Sequence, residues 1–207
     1  MIEIIRAGGW LMLPIILCSI LAVAITLERL WTLQRQRVLP KDLVTRVWEW
    51  ARDRQLDRKH LDILAANSPM GQVLAAGLAN RGQDREVLKE KVQDTGRHVV
   101  HELERYLNSL GTIAAITPLL GLLGTVIGMV KVFTAITTAG VGNPGVLAGG
   151  ISEALITTAA GLSVAIPTLI AYRYLRGRVD ALVVEMEKEA MKLVDALHRG
   201  AAQEPAA

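Results

Sequence analysis

The apolar positions of this chain gather into three long stretches, Trp10 to Leu27, Leu110 to Thr138 and Val146 to Ala171. Each approaches or exceeds the roughly 20 residues a helix needs to cross a bilayer. Outside them the pattern turns amphipathic. From Glu28, charges of both signs alternate around Trp31, Trp48 and Trp50, and the run from Leu43 to Leu64 has helical spacing broken at Asn67-Ser68-Pro69, which predicts a small helical domain. A second run from Asp84 puts Val87, Leu88, Val92, Val99, Leu103 and Tyr106 on one side. With no breaker between Gly96 and Gly111, it predicts one long helix running on into the second stretch. After the third stretch, Leu175, Val179, Leu182, Met186, Ala190, Leu193 and Leu197 recur at helical spacing. That sticky seam either joins subunits side by side or packs on the chain's own helical domain. Residues 200–207 are expected to be a disordered tail. No strand or internal repeat is suggested, so the predicted fold is all-α.

Between Leu110 and Ala171 the polar residues are chiefly hydroxyls and glycines, and only Lys131 and Glu153 are ionisable. A lipid-facing helix has no use for that pattern. On a helical projection Thr117, Gly121, Thr125 and Gly128 share one face of the second stretch, while Ala154, Thr157, Thr158, Gly161, Ala165 and Thr168 share one face of the third. These faces read as a packed or pore-lining surface inside a membrane assembly. Gly124 and Gly128 form a GxxxG spacing, which signals close helix contact. Pro14, Pro118 and Pro167 fall inside the stretches, as bends or flexible points.

Composition agrees with a membrane protein that has a substantial aqueous part. The 207 residues are 51% hydrophobic but only 4% aromatic, with Phe133 the single phenylalanine, which suits lipid-facing aliphatics better than a globular core. The net charge of +3 is dispersed and no basic cluster interleaves with aromatics, which argues against nucleic-acid binding. Cys18 is the only cysteine, so no disulfide or cysteine metal site forms within one chain; a small buried hydrophobe is expected there.

Charge also orients the spans. Arg97 and Arg105 precede the second, and Arg173, Arg176 and Arg178 follow the third, whereas the connector Gly140-Val-Gly-Asn-Pro-Gly145 has no charge. Both outer ends of this hairpin are therefore expected in the cytoplasm, and the first span delivers Arg29, Arg35, Arg37 and Lys41 to the same side. The expected order is an outer N-terminus at 1–9, a first span at 10–27, a cytoplasmic helical domain at 28–106, a second span at 107–139, an outer loop at 140–146, a third span at 147–172, and a cytoplasmic helix at 173–199. The rival is a cleaved signal peptide ending near Ala22-Val23-Ala24, with Arg6 as its positive flank. The charge pattern opposes it, since cleavage would export the charged segment before the second span.

Few residues could carry chemistry. Glu153 lies about two turns into the third span, where an ionised carboxylate is costly unless it faces water or a partner. Lys131 sits at comparable depth in the second, so the two either pair across the hairpin, structurally or as a gate, or reach separately for the wet interface. Thr125 and Thr158 are the best pore-lining candidates, because a hydroxyl both donates and accepts and so can hold water beside a passing proton. Neither titrates, so neither is the carrier; the alternative is that each merely bonds a carbonyl one turn back. His98 and His101, one turn apart, could begin a metal site but read better as a solvated face. With no catalytic constellation, phosphate-binding loop or nucleotide motif, neither an enzyme nor a cofactor is expected.

The ordered run Gly121-Leu-Leu-Gly-Thr-Val-Ile-Gly128, followed by Gly150-Ile-Ser-Glu-Ala-Leu-Ile-Thr-Thr-Ala-Ala-Gly-Leu-Ser-Val-Ala-Ile-Pro167, strongly resembles the MotA/TolQ/ExbB proton-channel family, with the ExbB/TolQ branch fitting best. The resemblance covers nearly the whole chain. It implies a homo-oligomer in the bacterial inner membrane, pentameric in the family. Its second and third spans would line a pore around the single transmembrane helix of an ExbD- or TolR-like partner, whose membrane aspartate takes up and releases the proton. Thr125 and Thr158 match the family's pore threonines and Glu153 its acidic residue at the start of the third span, so the resemblance implies that these three line the proton pathway. Lys131 and Arg173 depart from the family pattern, which more often has a neutral polar residue or histidine, and asparagine, at those places. The implied role is ExbB-like, energising outer-membrane transport through a TonB-like protein. A TolQ-like envelope motor acting on a TolA-like protein is the alternative, and a non-conducting membrane scaffold is the answer of another class. Three spans in 207 residues argue against a flagellar stator.

Overall fold

The computed structural model describes residues 8–40, 43, 47, 58–140 and 144–202. Most of the expected helix from Leu43 to Leu64, with Trp48 and Trp50, lies outside the described residues, as do Arg6, Lys41, the middle of the hairpin connector and the chain beyond residue 202. The helices are α1 (Met12–Thr32), α2 (Arg35–Val38), α3 (Arg58–Asn67), α4 (Pro69–Ala79), α5 (Arg85–Leu103), α6 (Leu107–Ala139) and α7 (Pro144–Ala202). No strand occurs among the described residues. The chain forms two compact units, one of Met1–Glu28 with Tyr106–Tyr174, the other of Arg29–Arg105 with Leu175–Ala207.

In the first unit α1, α6 and the N-terminal half of α7 each carry a segment long and apolar enough to cross a membrane. Their large side chains point outward: Leu13, Leu17 and Leu27 on α1, Leu119, Val126 and Phe133 on α6, and Leu155, Ile166 and Ile170 on α7 are all exposed. Most buried positions along the α6–α7 contact hold small or hydroxyl residues, Ala114, Thr117, Ala154, Thr157, Ala165 and Thr168, with Leu107, Leu110 and Val132 as the larger buried side chains of α6. Lipid is as apolar as leucine and gives helices no hydrophobic reason to associate, so they associate through close backbone approach and hydroxyl bonds. Pro14 stands in the first turn of α1, where a missing N–H costs nothing, while Pro118 and Pro167 lie within α6 and α7. Cys18 is half-buried rather than fully enclosed.

The second unit is built the other way round. Ser68 caps α4, accepting from the Gly71 N–H at 3.1 Å with Pro69 as the first helical residue, so the Asn67-Ser-Pro69 signal becomes a sharp corner between α3 and α4. The core combines Met70, Val73, Leu74 and Leu78 of α4, Leu88, Val92, Val99 and Leu103 of α5, and Leu175, Val179, Leu182, Met186, Leu193 and Val194 of α7. The heptad-like seam after the third span is thus buried on the chain's own helical domain, which decides between its two readings. Ion pairs flank the core, Arg35 to Glu185 at 2.8 Å and Arg85 to Asp195 at 2.9 Å. The Arg37 guanidinium stacks 3.8 Å from the centre of the Trp31 ring.

Two expectations are corrected. The helix from Asp84 does not run unbroken into the second span: α5 ends at Leu103, and Tyr106 takes a left-handed φ of 64° before α6 begins. No local breaker causes this. Buried Arg29 points its guanidinium at the carbonyls of Glu102 and Leu103, both at 3.4 Å, so a cation meets the negative end of α5. A tertiary contact therefore supports a strained turn that the local pattern does not announce. Second, residues 200–202, expected in a disordered tail, continue α7.

Candidate functional site

The site is built on the α6–α7 hairpin, where glycine decides how close the helices come. A Cβ on Gly161 would stand 2.8 Å from the Thr117 carbonyl oxygen and 3.1 Å from the Gly121 Cα. One on Gly128 would stand 2.7 Å from the Ala154 Cβ and 2.8 Å from the Gly150 carbonyl oxygen, while Gly124 faces the Thr157 side chain. Backbone lies against backbone along this line, so the expected face of Gly121, Gly124, Gly128, Ala154, Gly161 and Ala165 is occupied within one chain.

The threonines divide into two groups along that seam. Thr117, Thr157 and Thr168 are buried, at 0%, 1% and 5% exposure. The Thr117 hydroxyl donates to the Ile113 carbonyl at 2.6 Å and the Thr168 hydroxyl to that of Val164 at 2.7 Å. Such bonds one turn back satisfy the hydroxyl and let helices approach. Thr125 and Thr158 are only half-buried, at the margin. Thr125 donates to the Leu122 carbonyl at 2.6 Å, and Thr158 donates across the hairpin to the Gly121 carbonyl at 2.8 Å. A hydroxyl has one proton and two lone pairs. With their protons committed, both present acceptors only.

Near the loop end of the hairpin, the Lys131 ammonium donates to both Glu153 carboxylate oxygens, at 2.6 and 2.8 Å. Three glycines that the hydrophobic pattern did not single out stand around this pair. Gly9, with φ +69°, lies where any Cβ would meet the Glu153 carboxylate, and the Gly8 carbonyl accepts from the buried Thr157 hydroxyl at 2.9 Å. Gly150 faces the Val132 side chain. The only sequence signal for the first two was a paired glycine just ahead of a span. His98 and His101 are exposed, and no group of three His, Cys, Asp or Glu among the described residues could hold a metal.

Comparison with known proteins agrees with this architecture. The model of the MotA/TolQ/ExbB proton channel family matches residues 65–188, from α3 through the hairpin into the second half of α7. A putative biopolymer transport protein, ExbB-like 1, from Synechocystis sp. is 35% identical over 171 residues, covering 81% of this chain and 67% of the relative. The biopolymer transport protein exbB1 of Vibrio cholerae is 28% identical over 183 residues, 86% of this chain and 80% of that one. The Tol-Pal system protein TolQ of Haemophilus influenzae is 38% identical over 102 residues, 49% of this chain and 45% of that protein. With three membrane-length apolar helices, a glycine-and-hydroxyl hairpin and these relatives, the chain is a multi-pass membrane protein that belongs to the ExbB/TolQ branch of the MotA/TolQ/ExbB proton channel family.

Proposed function

We propose that this chain is the channel subunit of an ExbB-like inner-membrane motor that couples the proton motive force to energised outer-membrane transport. In this reading identical copies form a ring, five by resemblance, with the N-terminus outside and the second unit in the cytoplasm. The marginal faces of α6 and α7 surround a single-span ExbD- or TolR-like partner, and a TonB-like protein carries the work outward. The chain is not an enzyme and needs no cofactor. One observation carries the reading: from Leu110 to Ala171 the only ionisable groups are Lys131 and Glu153, and those two are engaged with each other. A proton path here needs a carrier from another polypeptide.

Thr125 and Thr158 suit that carrier in one protonation state. Acceptor-only hydroxyls receive a hydrogen bond from a protonated carboxyl but offer none to a carboxylate. They therefore favour the neutral form of a partner's acid while it is in the membrane. Each proton moved inward releases about 2.3 kcal/mol per 100 mV.

The test is proton flux in vesicles holding the chain with the single-span protein encoded beside it, after native mass measurement shows a ring enclosing that partner. Thr158→Ser, which keeps the hydroxyl, retains flux, whereas Thr158→Val lowers it about a hundredfold, the scale of losing one preorganised polar contact. Equal flux in both variants removes Thr158 from the path. A second reading is a TolQ-like envelope motor, favoured by the 38% identity with TolQ over 102 residues. Identification of the co-purified partner separates the two. A partnerless assembly without flux would support a scaffold, in which the buried Thr117, Thr157 and Thr168 are the whole purpose of the seam.

A further inference from the structure

We infer that Lys131, Glu153, Gly9 and Gly8 form a latch clamping the segment ahead of α1 to the loop end of the hairpin, with Glu153 as a positioning residue and not a proton carrier. Four features converge on it. Both carboxylate oxygens of Glu153 receive the Lys131 ammonium. The Glu153 carboxylate fills the place a Cβ on residue 9 would take, and the left-handed φ of +69° there independently favours glycine. The Thr157 hydroxyl, one turn beyond Glu153, stands within hydrogen-bond distance of the carbonyls of both Gly8, at 2.9 Å, and Glu153, at 2.7 Å, which share its one proton. The Glu153 side chain is 22% exposed against 52% for Lys131, so the acid is the enclosed member and the lysine its cover.

This arrangement restrains Glu153. Moving its carboxylate away would leave the Lys131 cation on α6 without its counter-charge and would abandon the packing against Gly9. Breaking an ion pair by removing one partner is costly because the charge left behind is uncompensated, and more so away from bulk water. A group held in this way orients what surrounds it. Here it holds three parts of the chain together: the residues before α1, the last turns of α6 and the first turns of α7.

Amide hydrogen exchange of the complex in nanodiscs, read beside vesicle flux, tests the latch; only the flux arm rests on the proposed channel reading. Lys131→Met, Glu153→Gln and Gly9→Ala are each expected to speed exchange at residues 8–12 about tenfold, since each opens the same local contact. Flux in each falls by about the same factor, because a misplaced hairpin end disturbs the path. Lys131→Arg keeps both readouts near native. The charge-swapped double variant, Lys131→Glu with Glu153→Lys, restores both to within about threefold in an assembled ring. Unchanged exchange in the three single variants overturns the latch. A swapped ring that assembles and is protected at residues 8–12 yet carries no flux overturns the positioning role and makes Glu153 the carrier. If the native complex itself shows no flux, the channel reading fails and exchange alone judges the latch.

Discussion

The two units solve one packing problem with opposite materials. In the second, leucine, valine and methionine meet in the middle and charges cover the outside. In the first, glycine, alanine and threonine line the contact between the hairpin helices beside a few buried aliphatics such as Ile15 and Leu110, and leucine, valine and phenylalanine cover the outside. Both are helices with a buried stripe at helical spacing, so periodicity alone does not distinguish them. The solvent does. Water rewards burial of large apolar groups, whereas lipid leaves close backbone contact and hydroxyl-to-carbonyl bonds as the means of association.

This contrast can be broken at chosen positions. The largest effect belongs to the aqueous unit: Leu182→Ala, at a site 2% exposed, is expected to cost about 2–5 kcal/mol, while Leu155→Ala, at a site 63% exposed in the membrane unit, stays within about 0.5 kcal/mol. Thermal unfolding in detergent measures both. If Leu155→Ala proves the costlier, that face packs on protein rather than lipid.

Glycine should reverse the order. Gly161→Leu has only backbone to displace and is expected to cost about 1–3 kcal/mol or more, read as a lowered melting temperature and loss of the assembled mass. Gly96→Ala, on α5 with nothing within 4 Å of the added Cβ, is expected to stabilise by about 0.5–1 kcal/mol, because glycine inside an exposed helix costs conformational entropy.

The smallest effect comes from Arg85. Its hydrogen bond to Asp195, and then the charge of that carboxylate, hold the guanidinium above its ordinary value. A raised value means the stabilising contribution is complete below arginine's normal range and is lost only as pH climbs past the folded value. Between about pH 6 and about pH 10 the difference between native and Arg85→Gln therefore stays constant, while added salt shrinks it. Urea midpoints at two pH values and two salt concentrations check this, and a slope with pH would mean that another titrating group is coupled to the pair.

Much of this was legible in the residues. Crossing lipid requires long apolar helices with every backbone bond internal, so three uninterrupted stretches announce an all-α membrane protein. The ordered run from Gly121 to Gly128 and from Gly150 to Pro167 is long enough to point to the family. The division among the threonines was less visible. Thr157 and Thr158 are neighbours separated by roughly 100° around one helix, and that turn makes the first a buried bridge to Gly8 and the second a half-buried acceptor on the margin.

By itself, then, the sequence determined the solvent of each segment, the helical class and the family, because those follow from hydropathy, spacing and an ordered motif that lie along the chain. Tertiary structure alone decided the break at Tyr106, the seam from Leu175 onward packing on its own domain, and the meeting of Gly9 with Glu153. Each depends on which distant residue arrives at a given face: Arg29 at the end of α5, α4 and α5 against α7, the segment before α1 against the hairpin. A local pattern records that a face will be covered, and only the folded chain supplies what covers it.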